Sequence, residues 1–176
     1  MTMFERPKPG GQPVQLSEFV TVVVGGQLFG LPIGCVQDVV HVGAITPVPL
    51  APYEVAGLLN LRGRVLTALC LRRLLRLPAA PEINRMVVGI EQNGESFGLL
   101  VDSVGEVLSL PVADRQPAPS NFDPRWARFA SGVYWLPEGL LVVLDVEAAI
   151  SQPAMTGPRQ AGNFNEMPIF QRGIAS

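Results

Sequence analysis

The sequence predicts an all-β protein built from two copies of one strand-rich unit, and three observations carry that expectation. Glycine and proline number 18 and 17 in 176 residues, a density that favours many turns over long helices. The apolar residues, 48% of the chain, fall in short runs bounded by turn signals, the pattern of short strands. Four motifs then recur in the same order. Phe29-Gly30-Leu31 returns as Phe97-Gly98-Leu99, and Val36, Asp38 and Val39 return as Val104, Glu106 and Val107. Pro47-x-Pro49 returns as Pro117-x-Pro119, and RVLTALCLRRLL at 64–75 returns loosely as GLLVVLDVEAAI at 139–150. Repeats in a fixed order point to a duplicated structural unit. A unit of about 60 residues is marginal as an independent core, so the two should pack together. Small curled sheets or barrels, with few exposed edges, are the expected form.

Residues 1–16 read as a flexible, proline-containing arm. Residues 19–24 and 28–31 form strands around Gly25-Gly26, a two-residue hairpin signal. Pro32 is suited to opening a short helix, for which Ile33, Val36, Val39 and Val40 supply one apolar side. After the proline-punctuated stretch ITPVPLAP, 55–61 and 65–69 are strands joined at Arg62-Gly63. Leu71, Leu74 and Leu75 then give a helical turn with Arg72, Arg73 and Arg76 outward. The second half repeats this grammar. Strands 86–91 and 96–101 flank Asn93-Gly94, and 111–129 is a long loop. Strands 130–135 and 140–144 close around Pro137-Glu138-Gly139, and Asp145 caps a short helix through Ile150. The tail 151–176 is expected to be mobile. The first lobe is expected to span largely 28–88 and the second 89–145, with strands at the chain ends crossing between them.

The composition offers poor material for catalysis. His41 is the sole histidine, too few for a zinc site with two or three histidines. Cys35 and Cys70 read as small apolar side chains in a reduced core, with a disulfide as the weaker alternative. There is no phosphate-binding glycine loop and no GxSxG elbow. Asp102 and Glu106 read as solvated acids rather than a catalytic pair. No catalytic residue, cofactor or metal is assigned. The start MTMFERPKPGG lacks an apolar signal-peptide core, and no 18-residue apolar run predicts a membrane span. A cytoplasmic protein is expected. With 13 basic and 15 acidic residues, the net charge of −2 argues against a nucleic-acid surface. The one basic cluster is Arg62, Arg64, Arg72, Arg73 and Arg76. Arg62 stands apart because the turn of NLRGR between two apolar strands would hold its donors in place for a carboxylate or helix-end carbonyl.

These residues resemble the CheW family of chemotaxis coupling proteins over 17–150. GGQLFGLPIGCVQDVV, VAGLLNLRGRVLTALCLRRLL, ESFGLLVDSVGEVLSLP and GLLVVLDVEAAI carry the resemblance. It implies two intertwined five-stranded SH3-like β-barrels with short helices. It implies a non-catalytic adaptor that links the cytoplasmic tips of methyl-accepting chemoreceptors to a CheA-type histidine kinase, recruited to receptor arrays. A coupling protein of a separate motility or surface-sensing pathway is the alternative, and an RNA-binding barrel or a small hydrolase are more distant ones. The resemblance places partner contacts at Val36, Asp38, Gly57, Arg62, Gly98, Val104 and Val107, in and around a groove between two lobes. Cys70 departs from the family's usual aspartate and cannot cap the following helix, whereas Asp145 keeps it in the second copy.

Overall fold

The computed structural model describes residues 12–79 and 85–151. Strands β1 (Leu16–Val24) and β2 (Gln27–Pro32) form the first hairpin. Gly25 and Gly26 both take positive φ, 59° and 80°, as a tight two-residue turn requires. Pro32 leads into a single 3-10 turn at Ile33–Cys35, and the chain then runs extended as β3 (Val36–His41). The expected helix there is a strand. Its branched residues Val36, Val39 and Val40 suit a pleated surface, and β3 pairs with a later strand. Short β4 (Ile45–Thr46), β5 (Val55–Leu61), β6 (Arg64–Cys70) and helix α1 (Leu71–Leu74) complete the first copy.

The second copy opens with β7 (Met86–Gln92) and β8 (Glu95–Val101) around Asn93-Gly94. Next comes β9 (Ser103–Pro111), a nine-residue strand that the sequence did not announce, because Ser103, Gly105 and Glu106 interrupt its apolar pattern. The connection to β10 (Ala130–Leu136) contains α2 (Pro124–Ala127), capped by Asp123. β11 (Gly139–Leu144) and α3 (Val146–Ile150) follow, with the Asp145 carboxylate accepting a hydrogen bond from the Ala148 amide.

The strands form two sheets, ordered β10-β11-β2-β1-β9 and β3-β7-β8-β6-β5-β4. Each sheet therefore combines strands from both copies. The hairpin that opens each copy pairs with the strands that close the other, β11 with β2 and β6 with β8, both in parallel. The registers match: Val142 faces Phe29, and Thr67 faces Phe97. Val104 lies opposite Val22 in one sheet, and Val36 opposite Ile90 in the other. This repetition satisfies the two-barrel architecture, with β4 as a two-residue addition to one sheet. It moves the lobe boundary, however. Division at 88/89 would cut through β7, whereas one lobe is the continuous stretch from β3 to β8 and the other unites the two ends of the described domain.

Both faces of each sheet are apolar. Outer-lying Val22, Phe29, Leu31, Leu69, Leu99, Val142 and Leu144 join one large core shared by the lobes. Alternating neighbours point the other way, into a smaller cluster inside each curled sheet: Leu66, Ala68 and Leu100 in one, Phe19, Tyr134 and Leu141 in the other. Burial on both faces explains why the strands read as continuous apolar runs rather than alternating ones. Cys35 and Cys70 are free thiols, so the disulfide alternative falls. Cys70 occupies the position before α1 without a side-chain cap bond, and its side chain is buried with Leu66 and Leu100. An aspartate in this rotamer would place a carboxylate among apolar side chains.

A bidentate ion pair ties the lobes. Arg72 on α1 donates from Nε and Nη2 to Asp102, at 2.8 and 2.6 Å, where the chain passes from β8 to β9. Asp102 also accepts from the Gly25 amide at 2.9 Å, holding the β1–β2 turn. Asp102 is thus a junction between copies rather than a solvated acid, and Arg72 turns inward from the expected outward face. The Arg72 hydrogen bonds hold the Asp102 carboxyl below the usual carboxylate range despite partial burial. The carboxylate is preferred in the folded state, so its contribution is complete above the ordinary value of 3.8 and is lost as pH falls through the lower folded value. Asp102→Asn is expected to remove about 1–2 kcal/mol at neutral pH and to flatten the loss of stability below about pH 4. Urea denaturation of both proteins at pH 7 and pH 3 measures this, and an identical acid dependence in the variant would refute the linkage.

Candidate partner-binding surface

The seven sequence-derived positions separate into three groups. Asp38 and Arg62 come together. A β-bulge between Val36 and Asp38 resets the register of β3 against β7, placing Asp38 opposite Gly89. Arg62 sits in the tight β5–β6 turn with positive φ, 50°, followed by Gly63 at 81°. The Asn60 side chain accepts the Gly63 amide at 2.9 Å and closes the turn. The Arg62 guanidinium bonds Asp38 through Nε and Nη2, the latter at 3.3 Å. Arg62 is 76% exposed and Asp38 only 17%. Asp38 therefore acts as the anchor and Arg62 presents the outward surface. Arg62 lies in the turn, as the sequence placed it, but its guanidinium is oriented by the Asp38 carboxylate.

The valines form the second group. Val36 and Val104 occupy equivalent places after the two crossings between lobes, and both are half-buried against the shared core. Val107 stands outward on edge strand β9 with 52% exposure. Its counterpart Val39 is 36% exposed on edge strand β3. Val39 was visible in the repeat but absent from the candidate set. Exposed branched side chains on two edge strands give a partner apolar area at small rotamer cost.

Gly57 and Gly98 form the third group, and both lie inside the fold. A Cβ on Gly57 would come within 2.2 Å of the Thr46 carbonyl oxygen, and its φ is 147°. A Cβ on Gly98 would approach Leu59 Cδ2 at 3.0 Å and Val87 Cγ1 at 3.1 Å. These glycines set the closeness of strands and the fill of one barrel. They do not open a path for a partner's backbone.

The basic cluster dissolves on inspection, because each arginine has its own protein acceptor. Arg64 donates to Ser96, Arg73 to the carbonyls of Tyr53 and Val55, and Arg76 pairs with Glu54. They do not converge as a phosphate-binding patch would. His41 is exposed at the end of β3. Cys35 donates to Gln92 Oε1 at 3.2 Å, and burial pushes its thiol pKa up, away from the reactive thiolate. Among the described residues, no group of three or more His, Cys, Asp or Glu is placed to hold a metal, and no helix is long and apolar enough to cross a membrane.

Comparison with known proteins follows the same lines. The CheW-like domain matches residues 18–154. A chemotaxis protein CheW from Rhizobium meliloti is 33% identical over 128 residues, 72% of this chain and 82% of the relative. The protein FrzA of Myxococcus xanthus is 34% identical over 109 residues, 60% of this chain and 67% of that one. In three dimensions, the scaffolding protein TtCheW from Thermoanaerobacter tengcongensis superposes with a TM-score of 0.71 at 22% identity, covering 80% of this chain and 96% of the other. That likeness supports the two-barrel fold.

Proposed function

The chain belongs to the CheW-like domain family, and from that premise we propose that it is a non-catalytic coupling protein joining a CheA-type histidine kinase to the cytoplasmic tip of methyl-accepting chemoreceptors. Relatives named for chemotaxis support the pathway. The observation that carries the reading in this molecule is the Asp38–Arg62 pair, a cation fixed at an exposed turn by a half-buried carboxylate. A guanidinium held this way gives direction as well as attraction, as suits recognition of a carboxylate or of helix-end carbonyls. Outward valines on β3 and β9 supply apolar contact, and a helical receptor tip offers the matching amphipathic rod. Coupling then works by geometry. Two weak contacts on one rigid body raise the effective concentration of kinase at receptor, and the protein is recruited from the cytoplasm to receptor arrays.

The similarity to FrzA supports a second reading, in which the same coupling serves a separate motility or surface-sensing system. Both readings share the surface and differ in the cognate kinase and receptor.

Arg62→Glu places a second carboxylate beside Asp38 and reverses the outward charge. Because Arg62 is largely solvent-facing, the fold should persist. Assembly of the complex with purified kinase and receptor fragment is expected to weaken about tenfold or more. Sedimentation, with circular dichroism as a control, measures it. Unchanged assembly by a folded variant would remove Arg62 from the interface.

A further inference from the structure

Three hairpins of the described domain turn in one form. Gly25-Gly26, Arg62-Gly63 and Asn93-Gly94 each take positive φ at both central residues: 59° and 80°, 50° and 81°, 53° and 79°. Two-residue turns of this kind favour glycine or asparagine at the first central place. Two of the three follow that preference. Arg62 does not. A long side chain in the left-handed region costs backbone free energy and persists only where its surroundings hold it. Gly63 alone does not do so. A glycine at the second place equally permits a turn whose first central residue keeps an ordinary negative φ.

The group that holds Arg62 is on β5. Asn60 is the last residue but one of that strand, exposed and paired with Val65, although asparagine is depleted from strands. Its Oδ1 accepts the Gly63 amide at 2.9 Å, a side-chain brace on the turn's own backbone. The target is fixed separately. Asp38 Oδ1 accepts the Val39 amide at 2.9 Å as well as Arg62 Nη2 at 3.3 Å, so the carboxylate is held from its own strand and Arg62 must reach it from the turn. If Arg62 relaxed to a negative φ, its Cα–Cβ bond would swing away from Asp38. We propose that Asn60 is a positioning residue. By keeping the Arg62-Gly63 turn left-handed, it aims the Arg62 side chain onto Asp38 and sets the guanidinium that meets the partner. The inference rests on the reading of Arg62 as a contact and deepens it, because it explains why an unsuited residue occupies this turn.

Two measurements test it. The first is NMR of the arginine side-chain Nε–H groups in the full chain without partners. Asn60→Ala is expected to speed solvent exchange of the Arg62 Nε proton about threefold or more, the signal being assigned by its loss in Arg62→Ala. Arg125, whose Nε bonds Asp123 at 3.1 Å, is the distant control and should not change. The second is assembly with purified kinase and receptor fragment. Asn60→Ala alone is expected to weaken it about threefold or more, and to add nothing in an Arg62→Ala background. Unchanged exchange at Arg62, or faster exchange shared with Arg125, overturns the proposal. So does an Asn60→Ala loss that persists in full without the arginine. Assembly untouched by Arg62→Ala would overturn the contact reading instead, and the NMR comparison would still decide whether Asn60 aims the guanidinium.

Discussion

Gly57→Ala is expected to destabilise the protein by about 3 kcal/mol, roughly 10 °C in Tm for a domain of this size. Two effects add. The backbone φ of 147° is one that L-residues rarely adopt, and the new Cβ would meet the Thr46 carbonyl oxygen at 2.2 Å and the Ile45 Cγ2 at 2.9 Å. The nearest obstacle is backbone, so no rotamer change relieves it and β4 must leave β5. Gly26→Ala provides the comparison: its φ is 80°, but nothing lies within 4 Å of the added carbon, so only the conformational cost of about 1 kcal/mol applies. Thermal denaturation of the two variants beside the wild type separates the effects. If Gly57→Ala melted with the wild type yet failed to bind partners, Gly57 would have to be a contact itself and the shape argument would be wrong.

The second large effect is functional. Val107→Asp is expected to reduce receptor-dependent kinase control about tenfold or more, with stability within about 0.5 kcal/mol of the wild type. Val107 is half exposed on an edge strand, so the carboxylate stays hydrated. Val36→Asp would test the same surface less cleanly, because Val36 packs against the shared core and a carboxylate there would also cost folding free energy. Kinase alone should still sediment with the Val107 variant if receptor and kinase use different faces. Equal loss of kinase binding and receptor control, in a folded protein, would show one undivided surface.

Strands and hairpin turns were legible because their chemistry is local. Gly25-Gly26 and Asn93-Gly94 announce their turns, and Asp145 announces α3. The repeat revealed the equivalence of Val36 and Val104. What the sequence concealed depends on distant partners. Ile33 to Val40 carries apolar residues at helical spacing, yet pairing with β7 makes β3 extended. Gly105 and Glu106 weaken the apolar pattern of β9, which β1 nevertheless stabilises along its length. Asp102 looks like an ordinary acid until Arg72, 30 residues away, is brought beside it. Within the candidate surface, the pairing of Asp38 with Arg62 required the fold. The family likeness nominated the two glycines, and only their neighbours in the fold show how little room a side chain would have at either position.

The exchange of opening hairpins between the two copies bears on how such a molecule arises. A protein holding a single copy could not close its own sheet. Its hairpin would find the complementary strands only on a second molecule, so folding would be tied to dimerisation and would fail on dilution. Joining two copies in tandem makes the same association intramolecular and independent of concentration. The two halves are then free to diverge, since each position no longer has to serve both places at once. Cys70 and Asp145 record that freedom: the same site before a short helix is a buried thiol in one copy and a capping carboxylate in the other.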